Sequence, residues 1–480
     1  MGKIILLVIL AAIVIFIAVL LIRTAMFKPE KLPPVREFDT KVNEEKIIAD
    51  MADMIRCKTV SNRDESKVDR SEFEKFQKLI AARFPLVHEK AELTHLGKTG
   101  LLFYIKGRSS EKPSVCMAHY DVVPVDEDAW DKPPFDAVIE DGVMWGRGTL
   151  DTKSTLCSIL EAAEQLLARG FVPKNDLYLS FSGEEEIDGA SCGEIVTYLE
   201  NKGIKPAIVL DEGGAVVDKS FPGVDGMIAM VGIGEKGSVN MDFTVECEGG
   251  HASTPPKKTT AGTLAKAIRA IEDNPFPRHF TKPVKEMFDT VGRHSTFGMR
   301  LIFANLWCLL PVLDLVCKIS GGELNAMMRT TVAVTKLSGS DAYNVMPAKA
   351  KFGVNMRVMS GDTIESAAGF LNEKINDDCV TSSLVNGAEP SIYSDTSCAE
   401  WQLLKETIHE LWPEAIISPY LMMACSDSRH YCRITDRVYR FSPMYMSKED
   451  RGMIHGNNER ISLDTLIKTT KFYVRFIGKL

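Results

Sequence analysis

The sequence predicts an α/β protein with a mostly parallel sheet, an inserted ferredoxin-like α+β unit, and a transmembrane helix that precedes both. Three observations support this fold class. The chain has 480 residues, more than one hydrophobic core usually holds, so two domains are expected. Short apolar runs alternate with helical patterns in two separate parts of the chain, and a longer apolar run lies near the N-terminus.

The N-terminal apolar run, residues 4–22, predicts a membrane anchor. Its 19 residues would span about 28 Å as a helix, close to the thickness of a bilayer's hydrocarbon core. A cleaved signal peptide is the alternative, but its apolar region normally has about 7–15 residues and ends at a small-x-small site, which this run lacks. Lys3 precedes the run, and Arg23, Lys28 and Lys31 follow it. Because positive residues are in excess on the cytoplasmic side of a membrane span, this count favours a cytoplasmic location for the rest of the chain.

Residues 23–41, with prolines at 29, 33 and 34, predict a tether between the anchor and the body. Residues 42–233 predict the first part of a catalytic domain. There, β-like apolar runs alternate with helical ones, the pattern of βαβ units on a parallel sheet. The runs are strand-like at residues 101–106, 113–117, 177–181 and 207–210, and helical at residues 154–168 and 192–201.

Residues 234–393 predict a second, smaller unit. Two strand-helix-strand halves follow one another there, which is typical of a ferredoxin-like sandwich, and residues 394–480 return to the first domain. Within this unit, residues 299–317 are strongly apolar but include Arg300, Asn305, Pro311 and Asp314, which are costly in a membrane span. Two interpretations remain, a buried helix pair or an apolar surface that accommodates an acyl chain.

Imidazole and carboxylate groups follow several β-like runs, an arrangement that predicts a two-metal hydrolase site. These are the ligands that a zinc-class ion takes in a catalytic site, and a two-metal site also needs one carboxylate shared by both ions. Glu185, the first acid of an adjacent pair, is then free to act as a general base. Each acid alone fits an ordinary turn or helix start, but their recurrence at strand ends favours a site. The candidates are His119, Asp121, Asp151, Glu185, Glu186, Asp211 and His455.

Six motifs in this order resemble the zinc-dependent exopeptidase family of glutamate carboxypeptidase, aminoacylase and succinyl-diaminopimelate desuccinylase. The resemblance covers roughly residues 40–480. Further motifs at residues 235–238, 343–347 and 427–429 are similar to the branch of carboxypeptidase S and N-fatty-acyl-amino-acid synthase/hydrolase. The six are Ala-His-Tyr-Asp-Val-Val-Pro (118–124), Gly-Arg-Gly-Thr-Leu-Asp-Thr-Lys (146–153), Ser-Gly-Glu-Glu-Glu (182–186), Asp-Glu-Gly-Gly (211–214), Gly-Gly-His-Ala-Ser-Thr-Pro-Pro (249–256) and Met-Ile-His-Gly (453–456).

The resemblance implies a role for each candidate. His119 and Asp211 would bind one metal ion, Glu186 and His455 the other, and Asp151 both. Asp121 would orient His119, and Glu185 would be the base. The family often has a cis peptide after the bridging aspartate; here Thr152 follows it, where many relatives carry an acid or an amide. The family's matching histidine implies that His251, on a lid domain, stabilises the oxyanion from the partner subunit of a homodimer.

Arg357 and Arg429 are candidates to bind a substrate carboxylate, because a guanidinium matches it bidentately; ordinary ion pairing is the alternative. Asn344 is a weaker candidate on the lid. The expected reaction is amide hydrolysis of N-acyl amino acids, with the reverse condensation when free amino acid and acid are abundant. Alternatives are a carboxypeptidase or dipeptidase and a silent interaction module. Zinc is the expected metal, although cobalt and manganese accept the same ligands. The branch resemblance favours an extracytoplasmic body.

Net charge and cysteine usage exclude other classes of function. The formal charge of −8 and the pI of about 5.7 argue against nucleic acid as a partner. None of the 11 cysteines forms a Cys-x-x-Cys motif, so we expect packing thiols rather than redox chemistry.

Overall fold

The computed structural model describes residues 1–30, 33–35, 40–218 and 221–480, so part of the predicted tether lies outside the described residues. The α-helices of the described chain are α1 (Gly2–Met26), α2 (Glu44–Ile55), α3 (Arg70–Arg83), α4 (Pro85–Lys90), α5 (Lys153–Ala168), α6 (Ser191–Asn201), α7 (Thr260–Glu272), α8 (Lys282–Arg293), α9 (Phe297–Ala304), α10 (Leu306–Ser320), α11 (Gly322–Met328), α12 (Ile364–Ile375), α13 (Ala399–Leu411), α14 (Lys448–Met453) and α15 (Leu463–Lys479). The strands are β1 (Glu92–Leu96), β2 (Gly100–Ile105), β3 (Ser109–His119), β4 (Val138–Glu140), β5 (Val143–Trp145), β6 (Asn175–Ser182), β7 (Ile208–Val217), β8 (Ile228–Glu235), β9 (Gly237–Glu246), β10 (Gly250–His251), β11 (Thr331–Ser338), β12 (Val345–Met346), β13 (Lys349–Val358), β14 (Val380–Ala388), β15 (Ile416–Met422), β16 (Val438–Met446) and β17 (Arg460–Ser462).

An eight-stranded sheet forms the body, in the order β1-β2-β6-β3-β7-β16-β8-β15. Its central strands β6, β3, β7 and β16 pair in parallel, whereas β1 and β2 are antiparallel. Parallel strands covered on both faces are continuously apolar, which is why β6 and β3 are buried along most of their length. The predicted α/β fold with a mostly parallel central sheet is thus confirmed.

Helices cover both faces of this sheet. On one face α5 packs against α15, and Trp412, Phe441 and Phe472 contact one another in the core beneath them. On the other face, residues of α6 such as Ile195 join a second apolar cluster with Val115. Full burial of a side chain of this size stabilises the fold by roughly 1.5–3 kcal/mol. The helix layers hold the strand ends in fixed positions.

A separate four-stranded antiparallel sheet has the order β11-β13-β9-β14. With α7 after β9 and α12 after β13, its elements follow the βαββαβ order of a ferredoxin-like sandwich. Alternate residues of β9 are buried, and Phe243 stacks on Phe352 of β13 with ring centroids 4.8 Å apart. The period-2 pattern of β9 therefore places one face of this sheet against its own helices.

Helices α8 to α11 interrupt this second unit and pack elsewhere. α8 lies against β15 at the edge of the large sheet, and Val284 and Phe288 share a core with Ile228 and Leu421. The sequence predicted one unit over residues 234–393, but these helices belong by packing to the first body. Periodicity identifies an apolar face without identifying the surface that covers it.

The apolar segment at residues 299–317 forms a bent pair, because α9 and α10 meet at an angle of 115°. Buried Asn305 lies at the bend. The 15 residues of α10 rise only about 22 Å, shorter than a bilayer core of about 30 Å. By length and composition, α1 alone among the described helices is a candidate for an unbent membrane span.

Candidate metal centre

Two imidazoles face the two oxygens of one carboxylate. His119 ends β3, and its Nε2 lies 3.0 Å from Oδ1 of Asp151, which lies two residues before α5. His455 follows α14, and its Nε2 lies 3.0 Å from Oδ2 of Asp151. A carboxylate held between two imidazoles in this way can be shared by two cations.

Each imidazole has a further acidic neighbour. Glu212 Oε1 lies 3.2 Å from His119 Nε2, and Glu186 Oε2 lies 3.0 Å from His455 Nε2. Ligand atoms of His119, Glu185 and Glu212 lie within 4.8 Å of one another, as do those of His119, Asp151 and Glu186. The structure brings both predicted histidines, the shared aspartate and both glutamates of the pair into one cluster.

The position of Asp211 differs from the sequence prediction. Its buried carboxylate accepts a hydrogen bond from the backbone N–H of Ser428 at 3.2 Å, and the following residue, Glu212, is the one beside His119. Successive side chains of a strand point to opposite faces, so only one acid of this pair can face His119. Sequence reasoning missed Glu212, although the adjacent acids at 211 and 212 were the available signal.

Asp121 connects His119 to the glutamate pair. Its carboxylate accepts hydrogen bonds from the backbone N–H groups of Glu185 and Glu186, each at 3.1 Å. His119 Nδ1 lies 3.0 Å from the backbone oxygen of Asp121 and 3.4 Å from its Oδ1. Asp121 therefore contacts both the imidazole and the turn that carries the acids, and its orienting role stays a prediction.

The cluster holds more acids than imidazoles, and all of its side chains except that of His455 are largely shielded from water. Burial raises the pKa of Glu185 well above its usual range, and raises that of Glu212 to about 8. Hydrogen bonds to Asp151 and Glu186 raise the pKa of His455 to about 10. Buried carboxylates that repel one another need a compensating cation, and this donor set fits zinc-class ions.

Glu459, which the sequence did not single out, holds the loop of the shared aspartate. Its fully buried carboxylate accepts hydrogen bonds from the N–H groups of Gly148, Leu150 and Asp151 at 2.7–3.2 Å, and from Arg147. Arg147 also donates to the carbonyl oxygen of Gly456 at 2.7 Å, next to His455. Glu459 thus links the two loops of the cluster. The Asp151-Thr152 peptide in this loop is cis.

The two arginine candidates both contact Cys425. Arg357 Nη1 donates to Cys425 Sγ at 3.4 Å, and Arg429 Nη2 donates to Glu235 at 3.2 Å. Buried Glu235 also pairs with Arg440. The ion pair with Glu235 therefore uses part of the hydrogen-bonding capacity of the Arg429 guanidinium, as the alternative of ordinary ion pairing expects.

His251 and Asn344 lie on the second unit. His251 is exposed, with Nδ1 2.7 Å from Ser253 Oγ, and Asn344 accepts the N–H of Ala252 through its backbone oxygen. Within the described residues, neither side chain contacts the candidate metal-ligand cluster that contains His119 and His455. The oxyanion and binding roles of these two residues stay predictions.

Known proteins resemble this chain in sequence and in fold. It is 34% identical over 99% of its length, and 95% of the relative's, to an N-fatty-acyl-amino acid synthase/hydrolase of Xenopus tropicalis. It is also 34% identical over 91% of its length, and 86% of the relative's, to a probable carboxypeptidase S-like protein of Dictyostelium discoideum. An M20 family metallo-carboxypeptidase of Sulfolobus solfataricus has the same fold with a TM-score of 0.66 at 17% identity, over 90% of this chain and 98% of that one.

Human carnosine dipeptidase 1 also shares the fold, with a TM-score of 0.63 at 13% identity over 91% of this chain and 96% of that one. The model of peptidase family M20/M25/M40 matches residues 115–479, most of the chain. The resemblance drawn from the motifs is therefore confirmed, and the chain belongs to peptidase family M20/M25/M40.

Proposed function

We propose that the protein is a two-metal amidohydrolase that cleaves the amide bond of N-acyl amino acids with a free α-carboxylate. His119 and Glu212 would hold one ion, His455 and Glu186 the other, and Asp151 both. When bound, ions of the zinc class lower the pKa of water and polarise a carbonyl group. Glu185 accepts the proton of the attacking water and delivers it to the leaving amine. The reverse condensation uses the same groups.

The observation that carries the substrate class is an apolar chamber of about 340 Å³ lined by residues that are neighbours in sequence of two members of the cluster. Gly213 and Gly214, which follow Glu212, line one side of it, and Ile454, which precedes His455, lines another. Phe221 and Met327 contribute to its apolar wall. A chamber of this size and polarity suits an acyl chain whose carbonyl carbon lies at the cluster.

Glycine at positions 213 and 214 keeps this wall thin. Gly213 has φ +136°, and a Cβ there would lie 2.7 Å from Met422 Sδ. A Cβ at Gly214 would lie 1.7 Å from the carbonyl oxygen of Met230, so the strands could not pack as they do. Side chains at these two positions would displace the chamber's own lining.

A carboxypeptidase or dipeptidase is the second candidate. The carboxypeptidase S-like relative and the peptidase folds favour it, and the arginine pair at Arg357 and Arg429 suits the terminal carboxylate of either substrate class. The two candidates differ in what the chamber holds: an acyl chain in the first, an amino-acid side chain in the second.

A matched substrate panel tests the two candidates. The full-length protein in nanodiscs, loaded with zinc, would be given one amino acid acylated with chains of increasing length, together with dipeptides. We expect kcat/KM to rise with chain length, by up to about fourfold for each methylene that enters the chamber. Glu185→Gln should lower kcat by at least about 100-fold on every substrate. A preference for dipeptides over all acyl chains would contradict the proposal.

We also propose that α1 is an uncleaved anchor with the body on the extracytoplasmic side, and that the four-stranded unit within residues 234–393, without α8 to α11, acts as lid and dimer contact. In such a dimer, His251 of one copy stabilises the oxyanion at the site of the other. Glu185→Gln and His251→Ala would each be inactive alone. When the two are mixed, heterodimers with one intact site should regain activity, and unchanged inactivity would contradict the shared site.

A further inference from the structure

One face of α10 is apolar and exposed. Trp307, Val312, Leu315, Val316 and Ile319 have exposed fractions of 59%, 55%, 57%, 52% and 78%. Leu313 and Cys317, on the opposite face, are buried against α8 and its neighbours. The surface helix of a water-soluble domain normally has its polar face outward, so α10 shows the reverse pattern.

Charged groups do not interrupt this face. The helix contains two, Asp314 and Lys318. Asp314 is buried and pairs with Arg329, and Lys318 Nζ lies 3.4 Å from the Asp314 carboxylate. Asp314 faces Arg278, Arg329 and Lys318, so of the two charged groups on α10 only that of Lys318 reaches solvent, at the border of the apolar face.

The apolar face of α10 is continuous with α1. Asn305 Nδ2, at the start of α10, donates to the carbonyl oxygen of Leu20 at 3.2 Å, and Arg23 Nε donates to the carbonyl oxygen of Ala304 at 3.2 Å. The Trp307 ring meets Phe16 edge-on with centroids 6.0 Å apart. α10 thus begins beside the C-terminal half of α1, and its Trp307 contacts a residue within the apolar run.

We propose that α10 lies in the plane of the bilayer and inserts its apolar face among the lipid acyl chains, as a second membrane contact beside α1. The proposal rests on the anchor role proposed for α1. Lipid is the occupant because the α10 face continues an apolar helix surface that is itself exposed over most of its length. With this second contact, the body of the protein would lie against the membrane surface and would not be held by α1 alone.

Tryptophan quenching by brominated lipid acyl chains tests this placement. The full-length protein in phosphatidylcholine nanodiscs would carry Trp307→Phe, and one new tryptophan would be added to that background. The parent retains four tryptophans, so the quenching of each new one is the difference from the parent. Ile319→Trp reports the far end of α10, Phe16→Trp is the reference inside the bilayer, and Val172→Trp, at a position 46% exposed on the body, is the reference in water. Hydrolysis of an acetyl amino acid verifies that each variant is folded.

We expect the emission of Ile319→Trp to be quenched as strongly as that of Phe16→Trp, with Val172→Trp unchanged. Quenching of Phe16→Trp alone would overturn the proposal, and a blue-shifted but unquenched Ile319→Trp would indicate a protein partner such as a second copy. Loss of quenching at both positions would remove the anchor as well. The substrate panel reads out the proposed hydrolysis separately in every case.

Discussion

Adjacent acids at residues 211 and 212 show how one position changes the composition of a site. Their motif is readable from the sequence, but which of the two faces His119 depends on how β7 is oriented in the sheet. The sequence singled out His119, Asp151, Glu186 and His455, which the fold brings together, and their roles as ligands stay predictions. It missed Glu212, because strand orientation is a property of the folded sheet.

This difference can be measured. Glu212→Gln keeps the size of the side chain and removes the charge beside His119, so we expect loss of bound metal and of activity, by about 100-fold or more. Asp211→Asn leaves the neighbours of His119 in place, and we expect a smaller loss of roughly 10-fold. Metal content by mass spectrometry, with kcat, compares the two. Equal metal content in both variants would contradict the placement of Glu212.

Glu459 is the second residue whose importance only the folded structure reveals. Glu459→Gln leaves buried Arg147 without its charged partner, which typically costs about 3–5 kcal/mol of unfolding free energy. Glu449→Gln removes an exposed partner of Arg460 and should cost less than about 1 kcal/mol. Thermal unfolding of the full-length protein would show both, and similar losses would mean that the buried pair is unimportant.

Lys236 should make stability depend on pH. Burial, with Arg357 nearby, lowers its pKa to about 7. Between about pH 7 and 10 the unfolded chain keeps a proton that the folded protein has lost, so the unfolding free energy rises with pH, by up to about 1.4 kcal/mol per pH unit. Unfolding of wild type and Lys236→Met across this range measures the difference. A rise that persists in Lys236→Met would assign it to other groups.

At the scale of elements, the helices around the chamber decide which substrates fit. Met327 of α11 lines the chamber, and Met327→Trp would fill part of it. We expect kcat/KM for a dodecanoyl substrate to fall by roughly 10-fold or more, because each methylene that is displaced costs about 0.8 kcal/mol. An acetyl substrate should be unaffected. Met299→Trp, the same exchange on α9, is the control, and equal effects of both variants would contradict an acyl role for the chamber.

Element types were readable from the sequence, and their placement was not. Alternation predicted β2, β3, β6 and β7 of the large sheet and two strand-helix-strand halves in the small one, and residues 299–317 were recognised as apolar. It did not predict β1, β8, β15 or β16. This segment is neither a fully buried helix pair nor a fully exposed surface. Leu313 is buried, whereas its neighbour Val312 is exposed. Periodicity in a strongly apolar helix is weak, so its covered face cannot be read from the sequence.

For the whole molecule, the order of motifs predicted that the chain leaves the first domain and returns. His455 completes a cluster begun at His119, on the far side of the insertion. What the order could not show is that α8 to α11, inside the inserted region, pack on the edge of the large sheet. The inserted region is therefore divided between two packing sites, and α11 forms part of the wall of the chamber.

α11 follows α10 directly and lines the chamber, so the proposed membrane seat and the acyl site share one stretch of chain. Substrate would then arrive by lateral diffusion within the lipid, and the rate would follow its mole fraction there. Adding empty lipid at a constant total concentration of dodecanoyl substrate should slow hydrolysis, while an acetyl substrate in water should be cleaved at the same rate. A lipid-independent rate for both would mean capture from water. The lipid around the enzyme would thus regulate its rate, because added lipid dilutes the substrate within the membrane.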